Sequence, residues 1–134
     1  MARKIFVNFR VENLPQSKAF FEKLGFAFNP QFTNDHAACM IISEDGYVML
    51  MGASLWTRFT NNKPCDTRTH TEALVALSCE SRAEVDQLVA LALENGGRPA
   101  MPTLDEGFMY TGSFYDLDGH HWELGWMDLS TVQK

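Results

Sequence analysis

The chain carries an internal repeat. Phe6-Val7-Asn8-Phe9-Arg10-Val11-Glu12-Asn13 and Leu74-Val75-Ala76-Leu77-Ser78-Cys79-Glu80-Ser81 share one pattern, 68 residues apart: a period-2 strand, then an acid, then a helix-capping residue. A repeat of this kind sets the fold, because each copy must build the same supersecondary unit from the same order of apolar positions.

The helices after the two strands correspond as well. Pro15 stands in a first helical turn, where its missing N–H does no harm. Phe20, Phe21 and Leu24 share a face before Gly25 ends the segment. In the second copy Ser81 and Glu84 make a capping box, Val85, Leu88, Val89 and Ala92 form the apolar stripe, and Asn95-Gly96-Gly97 stops it. Each helix leads into short strand patterns separated by turn residues: 26–32, 37–43 and 47–51 in the first copy, 98–104, 108–115 and 120–127 in the second. The expected fold class is α+β, one domain over residues 1–134 built from two βαβββ repeats (3–52 and 72–128), with a polar linker over 53–71. Trp56 and Phe59 in that linker are suited to pack over a pocket or a second subunit. Each last hairpin contains Asp-Gly, at Asp45-Gly46 and Asp118-Gly119, which predicts tight type I′ turns and aligns Leu50 with Glu123.

With 134 residues, of which 46% are hydrophobic, the chain can fill one core. A net charge of -6 without a basic cluster argues against nucleic acid. No apolar run is long enough for a membrane span or a signal peptide, so a cytoplasmic protein is expected. Cys39, Cys65 and Cys79 form no CxxC pair and are odd in number, which disfavours a disulfide framework or a zinc knuckle.

Strand alternation assigns Ile5, Val7, Phe9 and Val11 to a helix-covered face. Phe6, Asn8 and Arg10 fall on the opposite face, and by the same reasoning so do Val48, Leu50, Leu74, Ala76, Ser78, His121, Glu123 and Gly125. Apolar walls with few polar groups make a small-molecule site, with Phe6, Asn8, Arg10, Leu50, Leu74, Ser78 and His121 as expected binding residues. Glu123, between Trp122 and Leu124, is the candidate general base if apolar walls raise its pKa. The alternative is a structural carboxylate paired with Arg10. His121 and Glu123 share a face and are the candidate metal ligands, with no third ligand in view; His36 falls in a turn, His70 in the linker, and His120 faces away.

The first strand ending Arg10-Val-Glu-Asn-Leu14, the segment Ser17-Lys-Ala-Phe-Phe-Glu-Lys-Leu-Gly-Phe26 and the segment Phe114-Tyr-Asp-Leu-Asp-Gly-His-His-Trp-Glu-Leu124 resemble the vicinal oxygen chelate superfamily of glyoxalase I, extradiol dioxygenases, fosfomycin-resistance enzymes and bleomycin-binding proteins. Within it the chain is most similar to bacterial proteins labelled lactoylglutathione-lyase-related. The resemblance implies curved sheets forming a cup with helices outside, and a homodimer. In metal-dependent members it also implies a divalent ion held from the first and last strands of each repeat. Those four places in this sequence are Phe6, Leu50, Leu74 and Glu123, of which only Glu123 has a donor oxygen for a metal. The expectation is therefore a binding protein without a cofactor, its pocket in the cup. The alternative is a glyoxalase-like lyase or isomerase using zinc or nickel.

Overall fold

The computed structural model describes residues 3–131, which form two compact units dividing between Pro64 and Cys65. The first unit runs β1 (Ile5–Arg10), α1 (Leu14–Lys23), β2 (Ala27–Phe28), β3 (Ala37–Ile41), β4 (Gly46–Met51) and a short helix α2 (Ala53–Trp56). Its sheet has the order β1-β4-β3-β2, with β1 parallel to β4 and the other pairs antiparallel. The Asn13 side chain accepts the Gln16 N–H at 3.0 Å and starts α1. Gly25, at φ 101°, ends it in a conformation that only glycine adopts without strain. Phe20, Phe21 and Leu24 are buried as the stripe predicts. The strand expected over 26–32 shrinks to Ala27–Phe28, because Pro30 has no N–H to pair and opens a 3₁₀ turn capped by Asn29.

The second unit runs β5 (Leu74–Ser78), α3 (Arg82–Glu94), β6 (Arg98–Pro99), β7 (Leu104–Asp105), β8 (Met109–Tyr115) and β9 (His121–Met127). The sheet order is β5-β9-β8-β6, with β5 parallel to β9 and β7 also paired to β8. Ser81 accepts the Glu84 N–H at 3.1 Å, and the Glu84 carboxylate reaches back to the Glu80 N–H at 2.6 Å. Helix α3 lies on the sheet so closely that a Cβ at Gly112 would sit 3.0 Å from both Val85 and Val89. The single strand expected over 98–104 is two short pieces, both paired to β8, with Pro102 in the break between them. The architecture is therefore mixed α+β, two open sheets with a helix against one face of each. No helix among the described residues is long and apolar enough to cross a membrane.

The hairpins correct one part of the sequence reading. Ile41 pairs with Tyr47 and Tyr115 with His121, so five residues separate the paired positions in both copies. Asp-Gly occupies the last two of these five places in the first loop but the third and fourth in the second. Neither is a type I′ turn, which needs positive φ at both central residues: no described non-glycine residue has positive φ, and Gly46 does not either. Aligning the Asp-Gly pairs thus slips the register by one residue, and one residue reverses the face. The counterpart of Glu123 is Met49, not Leu50. Leu50 pairs with Phe9 on the helix side, and both are buried, as are Val48 and Met40 in the adjoining row. Leu50 and Val48 therefore do not belong to the open face.

Candidate functional site

In the second unit the open face is read off the pairing. Leu74, His121 and Tyr115 form one row; Ala76, Glu123 and Ser113 the next; Ser78, Gly125 and Thr111 the third. Trp122 and Leu124, which alternate with them on β9, point to the helix side and are buried. Glu123 thus stands in a row with Ala76 and Ser113 on either side and Gly125 two residues along, a stretch of small side chains.

That carboxylate is half-buried and has no hydrogen bond or ion pair among the described residues. The hydroxyl beside it is already committed: Ser113 Oγ accepts the Met101 N–H at 2.9 Å and donates to the Met101 carbonyl at 3.3 Å. His121 is 8% exposed. Its ring meets Tyr115 edge-on with centroids 5.3 Å apart, and it makes no side-chain hydrogen bond among the described residues. Arg98, paired to Tyr115 on the outer strand, lies 5.1 Å over the Tyr115 ring. Two hydrogen-bonding side chains therefore sit two residues apart on one strand, on one face, with no hydrogen-bond partner among the described residues.

The open face of the first unit has a different character. Phe6, Tyr47 and Ile41 form one row, Asn8, Met49 and Cys39 the next, Arg10, Met51 and Ala37 the third. Phe6 and Tyr47 stack at 5.0 Å with rings 14° apart, and Phe6 keeps half its surface exposed. Asn8 Nδ2 donates to the Phe6 carbonyl at 3.3 Å, and the Arg10 guanidinium lies 3.7 Å from Glu12. Phe6, Asn8 and Arg10 share this face as alternation predicts. Met49 and Tyr47 take the places that the sequence reading gave to Leu50 and Val48.

A polar cluster outside both faces was not singled out from sequence. Asp116, Asp118 and His120 each place a ligand-type atom within 4.8 Å of the others. The buried Asp116 carboxylate accepts the backbone N–H groups of Asp118 (2.9 Å) and His120 (3.0 Å) on one oxygen and the Trp122 indole N–H (2.9 Å) on the other. Burial pushes the Asp116 carboxyl above the usual carboxylate range, opposed by His120 and by the Trp122 and backbone donors. His120, also buried, has Nδ1 3.2 Å from a Glu72 oxygen, and the Thr67 hydroxyl donates to the Asp118 carbonyl. These contacts tie residues 67–72, expected as linker and strand lead-in, to the β8–β9 turn. With three donors already on Asp116, the group is built to organise a turn. The Asp-x-Asp-x-His spacing was the available signal.

The remaining candidates separate clearly. Burial raises the Cys39 thiol, and burial with Glu84 and Glu80 nearby pushes Cys79 up to about 11, so both stay protonated and behave as small apolar groups. His36 and His70 are exposed, the latter 2.7 Å from the Thr69 hydroxyl. Phe59 is 69% exposed and Trp56 half-buried. With the observed register, the four positions at which the resemblance places metal ligands are Phe6, Met49, Leu74 and Glu123. Two hydrocarbons and a soft thioether are poor partners for a hard or borderline divalent ion, so this donor set does not fit one.

The comparisons with known proteins agree on the fold. A protein of S. aureus described as hypothetical is 27% identical, covering 92% of this chain and 93% of its own, with a TM-score of 0.75. A glyoxalase/bleomycin resistance protein/dioxygenase family enzyme from Burkholderia phytofirmans is 13% identical, with coverage of 94% and 99% and a TM-score of 0.77. The fosfomycin resistance protein FosX from Mesorhizobium loti is 16% identical, with coverage of 97% and 96% and a TM-score of 0.68. No curated protein matches the sequence. The family description Glyoxalase/Bleomycin resistance protein/Dioxygenase superfamily matches residues 5–124, and the chain belongs to that superfamily.

Proposed function

We propose that this protein binds a small, partly apolar molecule without a metal, the ligand meeting the open face of the second sheet at Glu123. One observation carries the reading: of the four family ligand positions, Glu123 alone bears an oxygen donor, and its carboxylate has no partner among the described residues. A half-buried carboxylate with no protein donor among the described residues is free to accept from a donor on a bound molecule in place of water. Around it, Ala76, Gly125 and Leu74 supply an apolar floor, and His121 adds a second polar group to fix orientation.

A screen of small metabolites by thermal shift, run in chelator, tests this. Hits that stabilise the wild type in chelator and lose their effect in Glu123→Ala support the proposal, whereas stabilisation only after divalent metal is added overturns it. The second reading is a glyoxalase-like lyase or isomerase, with zinc or nickel polarising a carbonyl while a carboxylate moves a proton. His121 and Glu123, side by side and unclaimed, are the observation in its favour.

A further inference from the structure

We infer that the ligand of the Glu123 face carries a nitrogen cation with at least two N–H donors, a primary ammonium or a guanidinium; this rests on the proposal that a small molecule binds there. The observation behind it is a pair of side chains on one face that receive no hydrogen bond from the protein among the described residues. Glu123 offers two carboxylate oxygens and no described group donates to them. His121, more than nine-tenths buried on the same face, offers a ring nitrogen when neutral and makes no side-chain hydrogen bond among the described residues. The Cα atoms of Glu123 and His121 lie about 6.6 Å apart along the strand and both side chains emerge on the same face, so both flank the place where one small cation would sit.

The surroundings favour a cation over the other charge types. Ala76, Ser113 and Gly125 bring no positive charge to the carboxylate, and the Ser113 proton is directed to Met101. Arg98 is the basic group of these rows, and it stacks on Tyr115, which separates it from His121. A carboxylate-bearing ligand would meet Glu123 with like charge in a chain of net charge -6. A neutral alcohol or amide would supply a donor but would leave the charge without a counter-ion. An ammonium or guanidinium supplies both, and charge-assisted hydrogen bonds are roughly twice as strong as neutral ones. The flanking residues are small at Glu123, where Ala76 and Ser113 stand on either side, whereas the corresponding row of the first sheet carries Asn8, Met49 and Cys39.

The experiment compares benzylammonium, phenylguanidinium, benzyl alcohol and benzoate as probes. Backbone amide shifts of the intact protein are followed by NMR in chelator. The cations are expected to move the amides of residues 121–125 with a Kd at least tenfold below that of benzyl alcohol, benzoate to leave them in place, and Glu123→Gln to abolish the preference. His121→Phe, which keeps the edge contact with Tyr115, should weaken the cations and not the alcohol. Cations that bind no better than the alcohol, that leave these amides unmoved, or that bind Glu123→Gln as tightly as the wild type overturn the inference. Binding of benzyl alcohol alone in chelator, lost in Glu123→Ala, would overturn the cation and leave the metal-independent site standing.

Discussion

The indole Nε1–H of Trp122 donates to the Asp116 carboxylate at 2.9 Å, and both side chains are buried. This bond joins the first residue of the β8–β9 loop to the strand that carries His121 and Glu123. The other Asp116 oxygen holds the loop's own backbone. The carboxylate therefore sets the start of β9 and, through alternation, the face on which Glu123 emerges.

Asp116→Ala strands three N–H donors in a buried place and should cost about 3–5 kcal/mol, the range for breaking a buried charged network. Urea unfolding measures it. A loss below about 1 kcal/mol would show that the loop is held by other contacts.

The same residue gives a pH signature. Its folded carboxyl titrates above the ordinary value of 3.8 because of burial. Between 3.8 and the folded value the native state keeps a proton that the unfolded chain has lost, so stability falls as pH rises through that window. Comparing unfolding free energies of wild type and Asp116→Asn across the acidic range isolates the effect. The wild type should show the extra downward slope with rising pH, and parallel curves would refute the shifted carboxyl.

Gly119 stands at φ 89°, and a Cβ there would collide with the Thr67 carbonyl. Gly119→Ala should therefore cost about 1–3 kcal/mol and loosen residues 66–70, seen as faster exchange of the Thr69 and His70 amides that bond to the Asp66 carbonyl. Unchanged exchange would mean that the segment does not depend on this close approach.

Register is tested by a pair of truncations. Leu50, fully buried on the helix side, should lose about 2–5 kcal/mol as Leu50→Ala. Met49, half-buried on the open face, should lose about 1 kcal/mol or less as Met49→Ala. The reverse order would restore the alignment in which Leu50 matches Glu123.

Much of this was legible in the sequence because helix and strand periods differ. The stripe Val85-Leu88-Val89-Ala92 and the capping residues Asn13 and Ser81 read as helices, and the alternation His121-Trp122-Glu123-Leu124 assigned Glu123 to the open face. Tertiary context decided the rest. Asp-Gly is a local turn signal, but the two five-residue loops place it one step apart, so a short-range cue misaligned the strands beyond it and put Leu50 where Met49 stands. Asp116 reads as a turn residue; its importance comes from a tryptophan six positions on, which only the folded hairpin brings to it. Proline cut the expected strands 26–32 and 98–104 short, a penalty visible in the sequence yet outweighed there by the apolar pattern.

Glu123 serves a ligand directly, on the reading proposed above, and not through a metal. The most direct test is elemental analysis of the purified wild-type protein beside Glu123→Ala, with thermal unfolding in and out of chelator. The expected result is well under one equivalent of zinc, nickel, manganese or iron in both proteins and the same wild-type melting temperature either way. One tightly held metal per chain, lost with Glu123→Ala and stabilising the wild type against unfolding, would contradict it.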